Sequence, residues 1–87
     1  MRDLNERLLE FAVKVIALLN VFPRSILAAT IIKQLMRSAT SAGSNYEEAC
    51  GAESRADFAH KLAIVLKELK ESRFWLLLIG RTRIVRN

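Results

Sequence analysis

Leu4, Leu8, Phe11, Val15, Leu18 and Phe22 recur at steps of four, three, four, three and four residues, the rhythm of one helical face. Leu9, Ala12, Ile16 and Leu19 form a second stripe beside the first, making the apolar surface wide enough for two neighbours. The spacing predicts a helix from Leu4 to Val21, with Asp3 as N-cap and Glu6 three residues on. Pro23 ends it, because proline lacks an N–H and clashes with the preceding turn. A second helix is expected from Ile26 to Cys50, opened by Ser25 and closed by Gly51 at the C′ position. Its first half is aliphatic, and its second half, Ser38 to Ser44, consists almost entirely of small residues that would let a neighbouring backbone approach closely. Gly43 costs about 1 kcal/mol against alanine in a helix, so a bend or turn there competes with a continuous helix.

A third helix is expected from Arg55 to Ile79, capped by Ser54 and Asp57, with Gly80 just past its end. Phe58, Leu62, Val65, Leu69, Ser72, Leu76 and Ile79 trace its heptad-like seam. No segment alternates with period two. The fold class is therefore all-α, an antiparallel up-down bundle with three long helices. Residues 1–80 form the bundle domain and residues 81–87 a basic tail.

The apolar run from Phe74 to Ile79 circles its helix completely, and a helix apolar all round is buried all round. Its cover must come from a fourth helix or another subunit. Size points the same way, because so small a monomer buries only about 60–65% of its unfolded surface. Self-association is expected.

The net charge of +5 invites a nucleic-acid reading, but Arg81, Arg83 and Arg86 of the tail supply three of those charges. A nearly neutral body with a basic tail implies at most weak, sequence-independent contact with RNA or DNA. One cysteine excludes an intrachain disulfide. Neither a leader nor a membrane span is visible, so the expected location is cytoplasmic, with no membrane partner.

Candidate chemistry is sparse. His60 and Cys50 are the only residues of their kinds and fall on different predicted helices. No orienting third group accompanies them, as a nucleophile pair requires, and Cys50 reads as a small buried residue near a helix end. Asp57 and His60 echo the carboxylate-x-x-His step of di-iron bundles, which is needed from two helices. Clustered zinc ligands and a glycine-rich phosphate loop are both missing. Neither enzymatic activity nor a cofactor or metal is expected.

Polar residues set into the helical seams are more informative. Gln34, Arg37, Ser41, Asn45 and Glu48 advance by three, four, four and three residues along one face of the second helix. Glu68 and Glu71 lie on the third. One reading is a register-fixing seam in which Arg37 and Asn45 satisfy Glu71 or backbone groups, with Asn45 and Glu48 mostly buried. The other is a polar lining for a ligand groove or an oligomer channel. Lys67, Lys70 and Arg73, interleaved with Glu68 and Glu71, suggest an ordinary salt-bridged helix.

The segment from Gln34 to Ala49 resembles the hallmark of a bacterial four-helix-bundle family, the large-subunit ribosomal RNA intervening-sequence proteins. That pattern has a Gln, an Arg, then Ser-x-x-x-Asn and a Glu three residues later, matched by Gln34, Arg37, Ser41, Asn45 and Glu48. Phe22-Pro23, the Ser54–Phe58 opening, and Leu66 with Glu71 also fit. The resemblance implies a member lacking the family's fourth helix, and assembly into ring-shaped homopentamers. Relatives serving as accessory proteins of diversity-generating retroelements bind nucleic acid and a reverse transcriptase through basic surfaces. Together these observations imply a non-enzymatic oligomeric scaffold or adaptor, with weak nucleic-acid binding as the alternative.

Overall fold

A computed structural model describes residues 3–84. Helix α1 spans Leu4–Ala17 and tightens into a 3-10 turn over Leu18–Val21. Helix α2 spans Ile26–Cys50 and helix α3 Arg55–Thr82. All three expected N-caps form. Asp3 accepts from the Glu6 N–H at 3.0 Å, Ser25 from Ala28 at 3.1 Å, and Ser54 from Asp57 at 3.1 Å.

Two helix ends differ from expectation. The first α-helix stops at Ala17 rather than Val21, because the chain winds tighter before Pro23, a common way to close a terminus. The third continues through Gly80 to Thr82, and Arg83 takes the left-handed conformation at φ 53°. A single glycine lowers helix propensity without breaking the hydrogen-bond ladder. Gly80 is thus not a stop, and Arg81 sits in the last helical turn.

Residue pairs fix the antiparallel topology. Gly43 of α2 lies beside Leu8 of α1 while Ile32 clusters with Val15, and Ser38 of α2 meets Ser72 of α3 while Ala42 clusters with Val65. Helix α2 is central, packing against both neighbours and most extensively against α3. One buried cluster joins Val15, Ile32, Leu35 and Ala39, with Phe11, Phe22, Trp75 and Ile79 packed against it. A second joins Leu8, Ala42 and Val65, flanked by Tyr46 and Leu69. The molecule measures 45 × 23 × 17 Å, its long dimension set by α3, about 42 Å at 1.5 Å per residue.

The small half of α2 does bring helices close. Ser38, Ala39 and Ala42 are fully buried, and α2 runs unbroken through Gly43. A methyl group placed on Gly43 would lie 3.8 Å from the Leu8 Cβ, an ordinary contact. Gly43→Ala should therefore stabilise the fold by about 0.5–1 kcal/mol through helix propensity alone. A higher denaturation midpoint with unchanged m-value checks this.

Large apolar surface stays open. On α1, Leu9 is 60% and Val13 58% exposed. On α3, Leu66 is 55% and Phe74 57% exposed, while Trp75 and Ile79 turn inward. Phe58 and Leu76, expected in the third helix's seam, are also partly open. The cover demanded by the apolar end of α3 does not come from within residues 3–84.

Candidate functional site

Because α2 and α3 run antiparallel, Arg37 comes level with the acidic turn of α3. Its Nη1 donates to Glu68 Oε2 at 3.0 Å, and its Nη2 donates to Glu71 Oε2. Nε donates to Gln34 Oε1 one turn earlier, at 3.4 Å. Glu71 Oε2 also accepts from Trp75 Nε1 at 3.1 Å, linking the charged cluster to the apolar core. Beneath them the Ser38 and Ser72 hydroxyls bond at 2.7 Å, and Ser38 donates onward to the Leu35 carbonyl at 3.2 Å.

The electrostatics follow from this geometry. Hydrogen bonds from Arg37 and then Trp75 hold the Glu71 carboxyl below its usual range. Glu71 and Glu68 in turn raise the Arg37 guanidinium above its ordinary value. Glu68 is only 9% exposed, so its charge depends on Arg37 for compensation. The arrangement can fix the register of α2 against α3. It offers neither a nucleophile nor a paired acid and base open to a substrate.

Of the residues singled out from sequence, Gln34, Arg37 and Glu71 come together. Ser41 and Asn45 form a local pair, with Asn45 Nδ2 donating to the Ser41 carbonyl at 2.8 Å and to Ser41 Oγ at 3.0 Å. Asn45 is half-buried and Glu48 is exposed, which corrects the expectation that both are mostly buried between helices. The polar stripe runs along the outer edge of α2, where Arg37 is long enough to reach α3 and Asn45 is not. Asn45→Ala should accordingly change stability by no more than about 0.5 kcal/mol, since alanine's helix propensity offsets the lost bonds. A larger fall in denaturation midpoint would place Asn45 in a seam.

Three further expectations change. Cys50 is exposed at the end of α2 rather than buried, 3.8 Å from Asn5 Oδ1. Lys67, Lys70 and Arg73 are not paired with Glu68 and Glu71, because both carboxylates turn to Arg37. The three cations stand exposed on α3. Arg81 and Arg83 are also exposed, but at the helix end rather than on a separate tail, and Arg86 lies outside the described residues.

Sequence reasoning underweighted Glu68 and missed the serine pair and the Trp75 hydrogen bond. A signal existed: Glu68, Ser72 and Trp75 follow at steps of four and three, with Ser72 in the α3 seam itself. Among the described residues, no group of three or more His, Cys, Asp or Glu side chains could hold a metal ion. No helix among them is long and apolar enough to cross a membrane.

These features define a small helical-bundle protein whose central helix is keyed to its neighbour by a charged seam. The chain belongs to the 23S rRNA-intervening sequence protein family, whose sequence pattern matches residues 3–87. It is similar to a crystal structure from Bacteroides thetaiotaomicron VPI-5482, described as a protein with unknown function from the S23 ribosomal protein family. The two share 40% identity and a TM-score of 0.81, over 95% of this chain and 77% of that one. No curated protein sequence matches.

Proposed function

We propose that this protein is a non-enzymatic scaffold or adaptor that works in the cytoplasm as a homo-oligomer, the ring-shaped pentamer that its family resemblance implies. The observation that carries this reading is the open apolar surface on two separate helices, Leu9, Val13 and Ile16 on α1 and Leu66, Phe74 and Leu77 on α3. Open apolar side chains grouped along a helix mark association surfaces, and a small bundle gains stability by covering them. The charged seam holds α3 against α2, and the apolar cluster of Val15, Ile32 and Leu35 holds α1 against α2. Sedimentation or light scattering at micromolar concentration tests it. The expected species is five times the 9.9 kDa chain, and a well-behaved monomer overturns the reading.

A second reading, weak sequence-independent binding of RNA or DNA, is favoured by one observation. Lys67, Lys70 and Arg73 are exposed on the helix whose last turn carries Arg81, and no carboxylate among the described residues forms a salt bridge with them. In a ring such contacts multiply into avidity. Fluorescence polarisation should show binding that weakens steeply between about 50 and 200 mM salt. It should fall when residues 81–87 are removed. Absence of binding at low salt rejects this reading.

A further inference from the structure

The two open apolar surfaces differ in charge. Between α1 and α2 lies a groove of about 400 Å³ whose apolar wall is Leu9, Val13 and Ile16. Since the helices are antiparallel, Glu6 near the start of α1 and Glu47 near the end of α2 stand at the same end of it. On α3, Lys70, Phe74, Leu77 and Arg81 follow at steps of four, three and four, so they form one stripe, and all four are exposed. This strip is apolar in the middle and cationic at both ends. The groove has an apolar wall on α1, faces Thr40, Gly43 and Ser44 of α2 on the other side, and is anionic at one end.

We infer that the α3 strip of one copy docks in the α1/α2 groove of the next, so that the chain assembles through a head-to-tail contact between two different surfaces. The inference rests on the self-assembly reading above and names the faces that meet. Spacing supports it as well as charge. Glu6 lies seven residues before Val13, and Lys70 seven before Leu77, each span about 10 Å along a helix. Arg81 likewise lies seven residues beyond Phe74, so a strip entering in either direction brings a cation to the carboxylates while an apolar side chain meets Val13. The surfaces share no residue, so each copy offers both at once. Such a contact closes into a ring when its rotation permits, whereas a face pairing with itself would stop at a dimer.

Two variants test this by complementation, Val13→Asp in the groove and Phe74→Asp on the strip. Both side chains are more than half exposed, and circular dichroism verifies that each variant keeps its helices. Each alone should sediment as a monomer while the unsubstituted chain is assembled. Mixed in equal amounts they should form a heterodimer, because one variant retains an intact strip and the other an intact groove. That association should weaken at high salt. Variants that stay assembled, or a mixture that stays monomeric, would overturn the head-to-tail contact while leaving self-assembly intact. A monomeric unsubstituted chain would instead reject the assembly reading itself.

Discussion

Leu35→Ala should remove about 2–5 kcal/mol of stability, the usual range for deleting a fully enclosed leucine. Leu35 is 0% exposed and sits in the cluster that ties α1 and α2 to Trp75 and Ile79 of α3. Three helices converge on it, so no single side chain can relax into the space left behind. A domain of this size has roughly 5–10 kcal/mol in total, so the loss is a large fraction of the whole. Leu27→Ala, outside the groove and the α3 strip, is the matched control. Its side chain is largely open to water, so the cost should stay within about 0.5 kcal/mol for the isolated chain. Urea denaturation of both variants, read by helical circular dichroism, distinguishes the two leucines. Equal losses would contradict the packing described.

The contrast between those leucines shows how much of the fold was legible in the sequence. Periodicity placed all three helices, because caps such as Ser25 and Ser54 and the breaker Pro23 act locally. It also marked both stripes of α1 as apolar. Which positions find a partner is a tertiary matter, and on that helix only Leu8 and Val15 of the first stripe and Ala12 of the second are buried. The candidate site was legible in part for a similar reason. Helical spacing correctly put Gln34, Arg37 and Asn45 on one face, but spacing does not measure reach. Arg37 crosses to α3, whereas Asn45 bonds within its own helix. The family pattern marked these residues without indicating that Glu68 would be buried. The ends of α1 and α3 were misplaced because 3-10 tightening and a helical glycine each change the energy too little to leave a clear mark.

Arg37→Ala should destabilise the fold by about 1–3 kcal/mol near neutral pH, and this deficit should shrink in acid. Removing the guanidinium leaves Glu68, nearly enclosed, with an uncompensated charge and deprives Glu71 of its strongest partner. Breaking a fully buried pair costs about 3–5 kcal/mol. The Arg37 side chain is 47% exposed, and solvent screening brings the figure down. The direction with pH follows from Glu71. Its carboxyl titrates below the ordinary value of 4.5 in the folded state. The pair therefore contributes fully above that value and is lost as pH falls through the depressed folded-state pKa. The unsubstituted protein should lose stability across that window, and Arg37→Ala should lose less, so the two curves converge. Arg37→Lys should be intermediate, since an ammonium cannot hold two carboxylates and Gln34 with one planar fork. Adding Glu68→Gln to Arg37→Ala should recover part of the loss by removing the stranded charge. Parallel pH curves for the parent and Arg37→Ala would show that the carboxylates do not feel Arg37, and the charged seam would lose its role in fixing register.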